Sequence, residues 1–163
     1  PTNEDGKINR PEAIRMLRHA IDNGVNYMDT AYVYSGQKNE MMLAHALRDG
    51  YREKVYLATK LPMGHVNCTE DFDTLLNTQL ERLGMDYVDF YLLHAVNNDS
   101  WENRVIKYDI IPKIEKLKAE GKIRHFGFSF HDDLWVDSIN HCSIERHLSL
   151  ARHMIYSSGL SPL

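Results

Sequence analysis

Four short apolar segments of this chain each end at a polar residue, and the distance between successive ends is nearly constant. The ends are 31, 34 and 35 residues apart, at Asp29, Lys60, His94 and Ser129. An amphipathic helical pattern lies between successive segments, and each interval has the length of one strand–helix–strand repeat, roughly 30 residues or more. This alternation predicts an α/β protein with a parallel sheet.

The boundaries of the predicted elements follow from apolar periodicity and from glycine or proline at the ends. Helices are predicted over 11–23, 38–48, 70–83 and 109–120, and strands over 25–30, 55–60, 87–93 and 123–130. Thr69 is predicted to cap the third helix because two acidic residues follow it in the first turn. Glycines at 24, 50, 84 and 121 mark the ends of the helices.

Two sheet architectures are compatible with this alternation. A doubly wound open sheet usually carries a phosphate loop, and neither G-x-G-x-x-G nor G-x-x-x-x-G-K-[ST] occurs in the chain. A (β/α)8 TIM barrel instead collects its chemistry at the C-terminal ends of several strands, which is where Asp29, Lys60 and His94 lie. The sequence therefore favours a TIM barrel.

The predicted barrel is incomplete, because four βα units are visible and a whole barrel takes about 250 residues. We expect residues 1–163 to form a single, partial barrel domain, with clear units over 1–133 and an unassigned tail over 134–163. One interpretation of this tail is that it consists of later barrel segments joined to the earlier ones.

Composition restricts the class of protein further. The chain has 163 residues, of which 43% are hydrophobic and 26% charged, which is typical of a globular domain and excludes a disordered one. A pI near 6.1 argues against nucleic-acid binding. No apolar run approaches the ~20 residues of a membrane helix, and no signal peptide is visible. Two cysteines, Cys68 and Cys142, fit a reducing compartment, so we expect a cytoplasmic protein.

The polar strand ends would bring complementary groups together. The motif D-T-A-Y-V-Y places Tyr34 in the loop after Asp29, and Lys60 and His94 end the next two strands. A phenol is a poor proton donor near neutral pH, but a nearby ammonium favours the phenolate and a carboxylate would hold that ammonium. A histidine within reach can orient a substrate oxygen. This set suits proton transfer to a carbonyl oxygen without a metal.

Each of these residues also has an ordinary structural explanation, since strand-end residues commonly cap loops, pack or remain solvated. Their occurrence together at successive strand ends favours catalysis. We further predict substrate contacts at Tyr32, His94 and Trp101, with Trp101 and Met63 in loops. No metal site is predicted, because the spacing of the tail residues matches no zinc pattern: His141, Cys142, His147 and His153.

Four motifs resemble one known family in both order and spacing. They are G-V-N-Y-M-D-T-A-Y-V-Y, V-Y-L-A-T-K-L-P, L-G-M-D-Y-V-D-F-Y-L-L-H and G-K-I-R-H-F-G-F-S-F-H-D, and they span about residues 5–133. The sequence closely resembles the aldo-keto reductases. This resemblance implies a (β/α)8 barrel and the NADPH-dependent reduction of aldehydes or ketones.

The resemblance also implies a role for each matching residue. Tyr34 matches the family's general acid, Lys60 the residue that makes this phenol more acidic, and Asp29 the carboxylate paired with that lysine. His94 matches the histidine that positions the carbonyl. Ser129 matches a serine beside the nicotinamide carboxamide, so that Ser129 and Asp29 are the expected cofactor contacts. Hydride would pass from C4 of the nicotinamide to the carbonyl carbon while Tyr34 protonates the oxygen.

The chain departs from the family pattern in places. Phe130 follows Ser129 where many members have asparagine. The F-S-F-H-D version resembles a bacterial branch that often carries a C-terminal iron–sulfur segment, which is absent here because Cys68 and Cys142 cannot supply its C-x2-C-x2-C run. The family's first strand, its sixth to eighth strands and its 2′-phosphate clamp are not visible.

Two other functions are compatible with such a barrel. The first is a non-catalytic module that senses a nucleotide or binds a partner protein, although a binding role does not require the whole set of reactive residues. The second is a lyase that uses Lys60 as a Schiff base, although that lysine would require a desolvated pocket and Asp29 should keep it charged.

Overall fold

The computed structural model describes residues 8–129 together with positions 1 and 3, and there four strands alternate with helices. The strands are β1 (Tyr27–Asp29), β2 (Tyr56–Leu61), β3 (Val88–Leu93) and β4 (Ile123–Phe128). The helices are α1 (Arg10–Asp22), α2 (Asn39–Ala46), α3 (Thr69–Leu83), α4 (Asn98–Ser100) and α5 (Ile110–Ala119). Short 3-10 turns lie at Arg52–Lys54 and Met63–His65, and a π-helix at Trp101–Ile106.

The sheet has the strand order of a barrel. All neighbouring strands are parallel and follow one another in chain order, β1-β2-β3-β4. A doubly wound sheet reverses its strand order, so that alternative is wrong for these four strands. Helices α2 and α3 contact the same face of the sheet, through Glu40 on Thr59 and Gln79 on Tyr91. The predicted parallel α/β fold is confirmed, and the described residues form part of a TIM barrel.

The hydrophobic core lies between the sheet and the helices. Its most deeply buried members are fully inaccessible to solvent: Leu57, Leu61, Phe72, Leu76 and Ile114. Burying one such side chain contributes roughly 1.5–3 kcal/mol, so this layer supplies most of the driving force for folding.

The other face of the sheet, which lines the interior of a closed barrel, carries aromatic side chains. The rings of Tyr27 and Tyr56 lie 5.4 and 6.1 Å from the ring of Phe90, between centroids. Within residues 8–129 this face is only partly covered, since Tyr27 is 40% and Tyr56 44% exposed. In the part described, the helix-covered face is the one that is closed off.

Several predicted boundaries move by one or two residues. The strand predicted over 25–30 is limited to Tyr27–Asp29. Thr69 is the first residue of α3 and not its cap, because the Asp71 carboxylate accepts the backbone N–H groups of Asn67 and Cys68, at 2.7 and 3.1 Å. Those hydrogen bonds place the cap at Cys68, and the one from Asn67 is the main cause of the lowered pKa of Asp71. Gly84 ends α3 as predicted, with φ of 64°.

The loop after β3 contains helices that the sequence did not predict. Asn97 and Ser100 bond to each other's backbone N–H, at 2.8 and 2.9 Å, and this capping box starts a short helix that continues as the π-helix. Trp101 therefore lies in a helix rather than a loop. Met63 lies in a 3-10 turn after β2 and is buried.

Part of the sequence-based interpretation falls outside the described residues. This applies to Phe130, to the tail over 134–163 and to the histidines and cysteine considered there as metal ligands. Within residues 8–129, no helix is both long and apolar enough to cross a membrane. The same part of the chain holds no cluster of three or more His, Cys, Asp or Glu side chains suited to a metal ion.

Candidate active site

Lys60 and Asp29 form an ion pair at the C-terminal ends of β1 and β2. Asp29 pairs in the sheet with Ala58, so Lys60 lies two residues beyond its level and its side chain reaches back across the strand end. The Lys60 ammonium contacts the Asp29 carboxylate and donates to the backbone carbonyl of Thr30, at 2.9 Å. Lys60 is only 5% exposed, and a buried ammonium is stable only when such partners replace water.

Tyr34 lies in the turn that follows β1 and contacts the same ammonium. The Lys60 Nζ atom is 5.0 Å from the centroid of the Tyr34 ring. Tyr34 itself is 38% exposed, while the lysine beside it is buried. An exposed phenol and a buried cation therefore lie side by side at this strand end.

The Tyr34 turn has an unusual backbone. Ser35, Gly36 and Gln37 have positive φ values of 51°, 62° and 66° in succession. A left-handed conformation costs roughly 1–2 kcal/mol for a residue with a side chain, so neighbouring contacts must hold this turn. One such contact is Arg82 of α3, whose Nη2 donates to the Gln37 side-chain oxygen at 2.8 Å.

His94 follows β3 directly and completes the cluster. Its backbone N–H donates to the carbonyl of Leu61, at 3.0 Å, which holds it beside the end of β2. The ring of His94 meets the ring of Tyr34 edge-on, with the centroids 5.6 Å apart. The structure therefore brings together the four residues that the sequence predicted as catalytic: Asp29, Tyr34, Lys60 and His94.

Ser129 lies at the next strand end. Its backbone N–H donates to Leu93 O at 2.9 Å, and its hydroxyl oxygen accepts the N–H of Ala95 at 3.0 Å. Ser129 is thus bonded to the loop that carries His94, and the cofactor role predicted for it and for Asp29 stays a prediction.

The two remaining predicted substrate contacts are in different environments. Tyr32 is half-buried, with its ring 5.3 Å from the ring of His65 and 4.2 Å from the guanidinium carbon of Arg82. Trp101 is 4% exposed and packs in the hydrophobic core. The structure places Tyr32 two residues from Tyr34 in the same turn, while Trp101 is a core residue whose predicted contact with substrate stays untested.

Two buried polar residues behind the site were missed by sequence reasoning. Glu40 is 1% exposed and Gln79 is fully buried, both on the helix-covered face. A signal for each was available. Glu40 has the same helical phase as Leu43 and Leu47, and Gln79 interrupts the apolar stripe of α3. A polar residue on an apolar stripe has to find a partner inside the protein.

Comparison with known proteins supports what the fold and cluster indicate. The model of the aldo/keto reductase family matches residues 1–150. The chain is 32% identical over 151 residues to the methylglyoxal reductase YeaE of Escherichia coli K12, covering 89% of this chain and 50% of that protein. It is 28% identical over 130 residues to a probable aldo-keto reductase 1 of Glycine max, covering 75% of this chain and 36% of that protein.

A solved structure agrees with the same assignment. The crystal structure of an aldo-keto reductase from Klebsiella pneumoniae in complex with NADPH superimposes with a TM-score of 0.68 and 30% identity, covering 85% of this chain and 46% of that one. The chain thus spans half or less of the length of these relatives. Fold and site define a partial α/β barrel with a carboxylate–lysine–tyrosine–histidine cluster at its strand ends. The chain belongs to the aldo/keto reductase family.

Proposed function

We propose that the protein transfers a hydride from NADPH to the carbonyl carbon of an aldehyde or ketone, with Tyr34 as the general acid. Lys60, Asp29 and His94 assist it. The observation that carries this proposal is the contact of an accessible phenol, Tyr34, with a buried and ion-paired ammonium, Lys60.

Lys60 assists Tyr34 through its positive charge. A positive charge close to the ring stabilises the phenolate that remains when the proton has left. Asp29 and the Thr30 carbonyl hold the ammonium in one place, so this stabilisation needs no rearrangement during the reaction. The Asp29 side chain is 42% exposed and stays hydrated while it does so.

Tyr34 and His94 would bind the carbonyl oxygen between them. Their ring centroids are 5.6 Å apart, which supports a carbonyl oxygen shared between the phenol and the imidazole. His94 then fixes the direction of the carbonyl group, and Tyr34 delivers the proton to its oxygen. This division of roles makes Tyr34 essential to the chemical step and His94 important for orientation.

The residues at the strand ends fit a nicotinamide cofactor. The Ser129 hydroxyl group accepts the Ala95 N–H and keeps its own proton for a further acceptor, such as the carbonyl of a carboxamide. Asp29 is the second candidate contact. When bound, NADPH supplies the hydride. Support comes from the Klebsiella pneumoniae relative, which was crystallised with NADPH.

We propose a small aldehyde or ketone as the substrate and a cytoplasmic location. A relative named as a methylglyoxal reductase supports a small carbonyl compound, and the two cysteines of the chain fit a reducing compartment. We do not expect the protein to bind nucleic acid or a membrane, because the sequence pI is near 6.1 and the basic residues are dispersed.

The test is NADPH oxidation by the full-length protein with a panel of small and aromatic aldehydes and ketones, followed by absorbance. Tyr34→Phe is expected to lower kcat by about 10²–10⁴-fold, the usual contribution of a general acid. Tyr51→Phe is the matched control. That phenol lies at the opposite end of the sheet, bonded to Asp22 at 2.9 Å, and its loss should leave kcat unchanged.

Other outcomes would contradict the proposal. Binding of NADPH without turnover of any carbonyl would favour the nucleotide-sensing or partner-binding module. Trapping of a substrate on Lys60 by borohydride would favour the lyase. The ion pair of Lys60 with Asp29 opposes the lyase, because an ammonium held by a carboxylate is not the free amine that a Schiff base requires.

A further inference from the structure

A buried hydrogen-bond network lies on the helix-covered face of the sheet, directly behind the active-site cluster. Its members are each at most 1% exposed and come from α2, β2, α3 and β3: Glu40, Thr59, Gln79 and Tyr91. Thr59 donates to Glu40 at 2.7 Å, and the Gln79 amide nitrogen lies 2.8 Å from the same carboxylate oxygen. The same nitrogen lies 3.0 Å from the Thr59 hydroxyl oxygen. Buried polar groups are costly unless they are paired, and here each of these side chains has a partner.

Gln79 connects this network to the backbone of Lys60. Its amide nitrogen donates to the Lys60 carbonyl oxygen at 3.0 Å. The backbone hydrogen bonds between the segment containing β1 and strand β2 extend to the Thr30 N–H, which donates to the Ala58 carbonyl oxygen at 2.9 Å, two residues before Lys60. At the Lys60 carbonyl, the Gln79 side chain of α3 donates the hydrogen bond that the backbone of a neighbouring strand would otherwise supply.

Tyr91 fixes the orientation of the Gln79 amide. The Tyr91 hydroxyl donates to the Gln79 side-chain oxygen at 2.7 Å, which turns the amide nitrogen toward Lys60 and Glu40. Burial raises the pKa of Tyr91 well above its ordinary value, and the charge of Glu40 adds to this, so the hydroxyl remains a donor. The ring of Tyr91 packs edge-on against Phe72, which prevents it from rotating away.

We propose that Gln79 is a positioning residue, which holds the backbone of Lys60 so that its ammonium stays between Asp29 and Tyr34. This inference rests on the proposed function. Lys60 touches the reacting phenol, whereas Gln79 acts only through Lys60. Strand β2 ends one residue later, at Leu61, so the Gln79 bond restrains the strand close to its end.

The proposal is tested with Gln79→Met in the full-length protein. Methionine has a similar shape but cannot donate to the Lys60 carbonyl, so the ammonium becomes less well placed. We expect kcat to fall about tenfold to a hundredfold, the effect of a displacement of about 1 Å, while KM for the carbonyl substrate changes little. Tyr91→Phe leaves the Gln79 donor in place but frees its orientation, so its effect should have the same direction and be smaller.

A second measurement needs no catalysis. The ring resonance of Tyr34 in the NMR spectrum of the apoprotein is assigned by its loss in Tyr34→Phe. The Lys60 ammonium lies 5.0 Å from the centre of this ring, so a displaced ammonium changes the chemical shift of the resonance. Gln79→Met should therefore move the Tyr34 resonance, and Tyr91→Phe should move it less.

Asp89→Asn is the matched control, because Asp89 is equally buried but lies at the other end of the sheet, bonded to Arg52 and Arg124. It should destabilise the protein without moving the Tyr34 resonance. Equal effects of Asp89→Asn and Gln79→Met on kcat, with an unmoved Tyr34 resonance in both, would overturn the proposal. If Gln79→Met does not fold, an unmoved Tyr34 resonance in Tyr91→Phe would overturn it equally. Failure of the wild type to reduce any carbonyl compound would reject the proposed function, while the NMR measurement would still decide the role of Gln79.

Discussion

The two ends of the sheet each bury a charged residue, but they surround it in different ways. At the N-terminal end, Asp89 is 1% exposed and accepts from Arg52 at 2.7 Å, from Arg124 at 2.9 Å and from the Leu57 N–H at 2.9 Å. At the C-terminal end, Lys60 is 5% exposed, and its partner Asp29 and its neighbour Tyr34 remain open to solvent.

This difference in exposure indicates that the N-terminal end of the sheet serves stability and the C-terminal end serves chemistry. Both carboxylate oxygens of Asp89 accept hydrogen bonds from donors of the protein. The C-terminal end keeps an accessible phenol beside its buried cation. In barrels of this architecture, catalytic groups lie at the C-terminal ends of the strands and the opposite face serves stability. Substitutions at the C-terminal end should therefore lower activity, and substitutions at the N-terminal end should lower the free energy of unfolding.

The largest effect is expected from Lys60→Met. Activity should fall on the order of 10³-fold, because the phenolate of Tyr34 loses the charge that stabilises it. The free energy of unfolding should change by no more than about 1 kcal/mol, since methionine removes the buried charge and the half-exposed Asp29 stays hydrated. Steady-state kinetics and urea unfolding measure the two quantities.

Lys54→Met is the control for this substitution. Lys54 pairs with Asp22 at 3.0 Å on the surface at the opposite end, so its loss should alter neither quantity measurably. A similar loss of activity in both variants would contradict the separation of the two ends.

The next effect in size is the loss of stability in Asp89→Ala. Removing the carboxylate leaves the largely buried Arg52 and the half-exposed Arg124 without their partner, and we expect the free energy of unfolding to fall by about 3 kcal/mol. The kcat of the folded enzyme should not change. Asp73→Ala is the control, because its pair with Lys113 at 2.5 Å is half-exposed and should be worth less than about 1 kcal/mol. Equal losses of stability in the two variants would show that the burial of Asp89 is unimportant.

The smallest effect is expected for Tyr27→Phe and is confined to alkaline pH. Burial, with the charge of Asp29, raises the pKa of Tyr27 to about 12. An unfolded tyrosine ionises near pH 10, so between about pH 10 and 12 the unfolded state loses this proton first and stability declines as the pH rises. Tyr27→Phe should reduce that decline and leave stability near pH 8 almost unchanged. Urea midpoints at pH 8 and pH 11 measure this, and equal declines in wild type and variant would refute it.

Much of the fold was predictable from local sequence patterns. The helix over 11–23, the glycine that ends α3 and the parallel strand order depend on periodicity and on residues close in sequence. The helices at Asn98–Ser100 and Trp101–Ile106 were missed because a capping box between Asn97 and Ser100 is a weak signal in a polar segment. Trp101 was expected at the surface of the site, but its position in the core depends on packing that no local pattern records.

The candidate site also has one part that the sequence predicts and another that it does not. The sequence by itself determined which residues stand at the strand ends, because the βα repeat brings Asp29, Lys60 and His94 to one edge of a parallel sheet. Only the tertiary structure decided how they are held. The bond of Gln79 to the Lys60 carbonyl joins residues 19 positions apart, and the contact of Arg82 with Gln37 joins residues 45 apart. Such partners are selected by the three-dimensional packing of helix on sheet, and a buried polar group in a sequence reveals that it needs a partner without revealing which one.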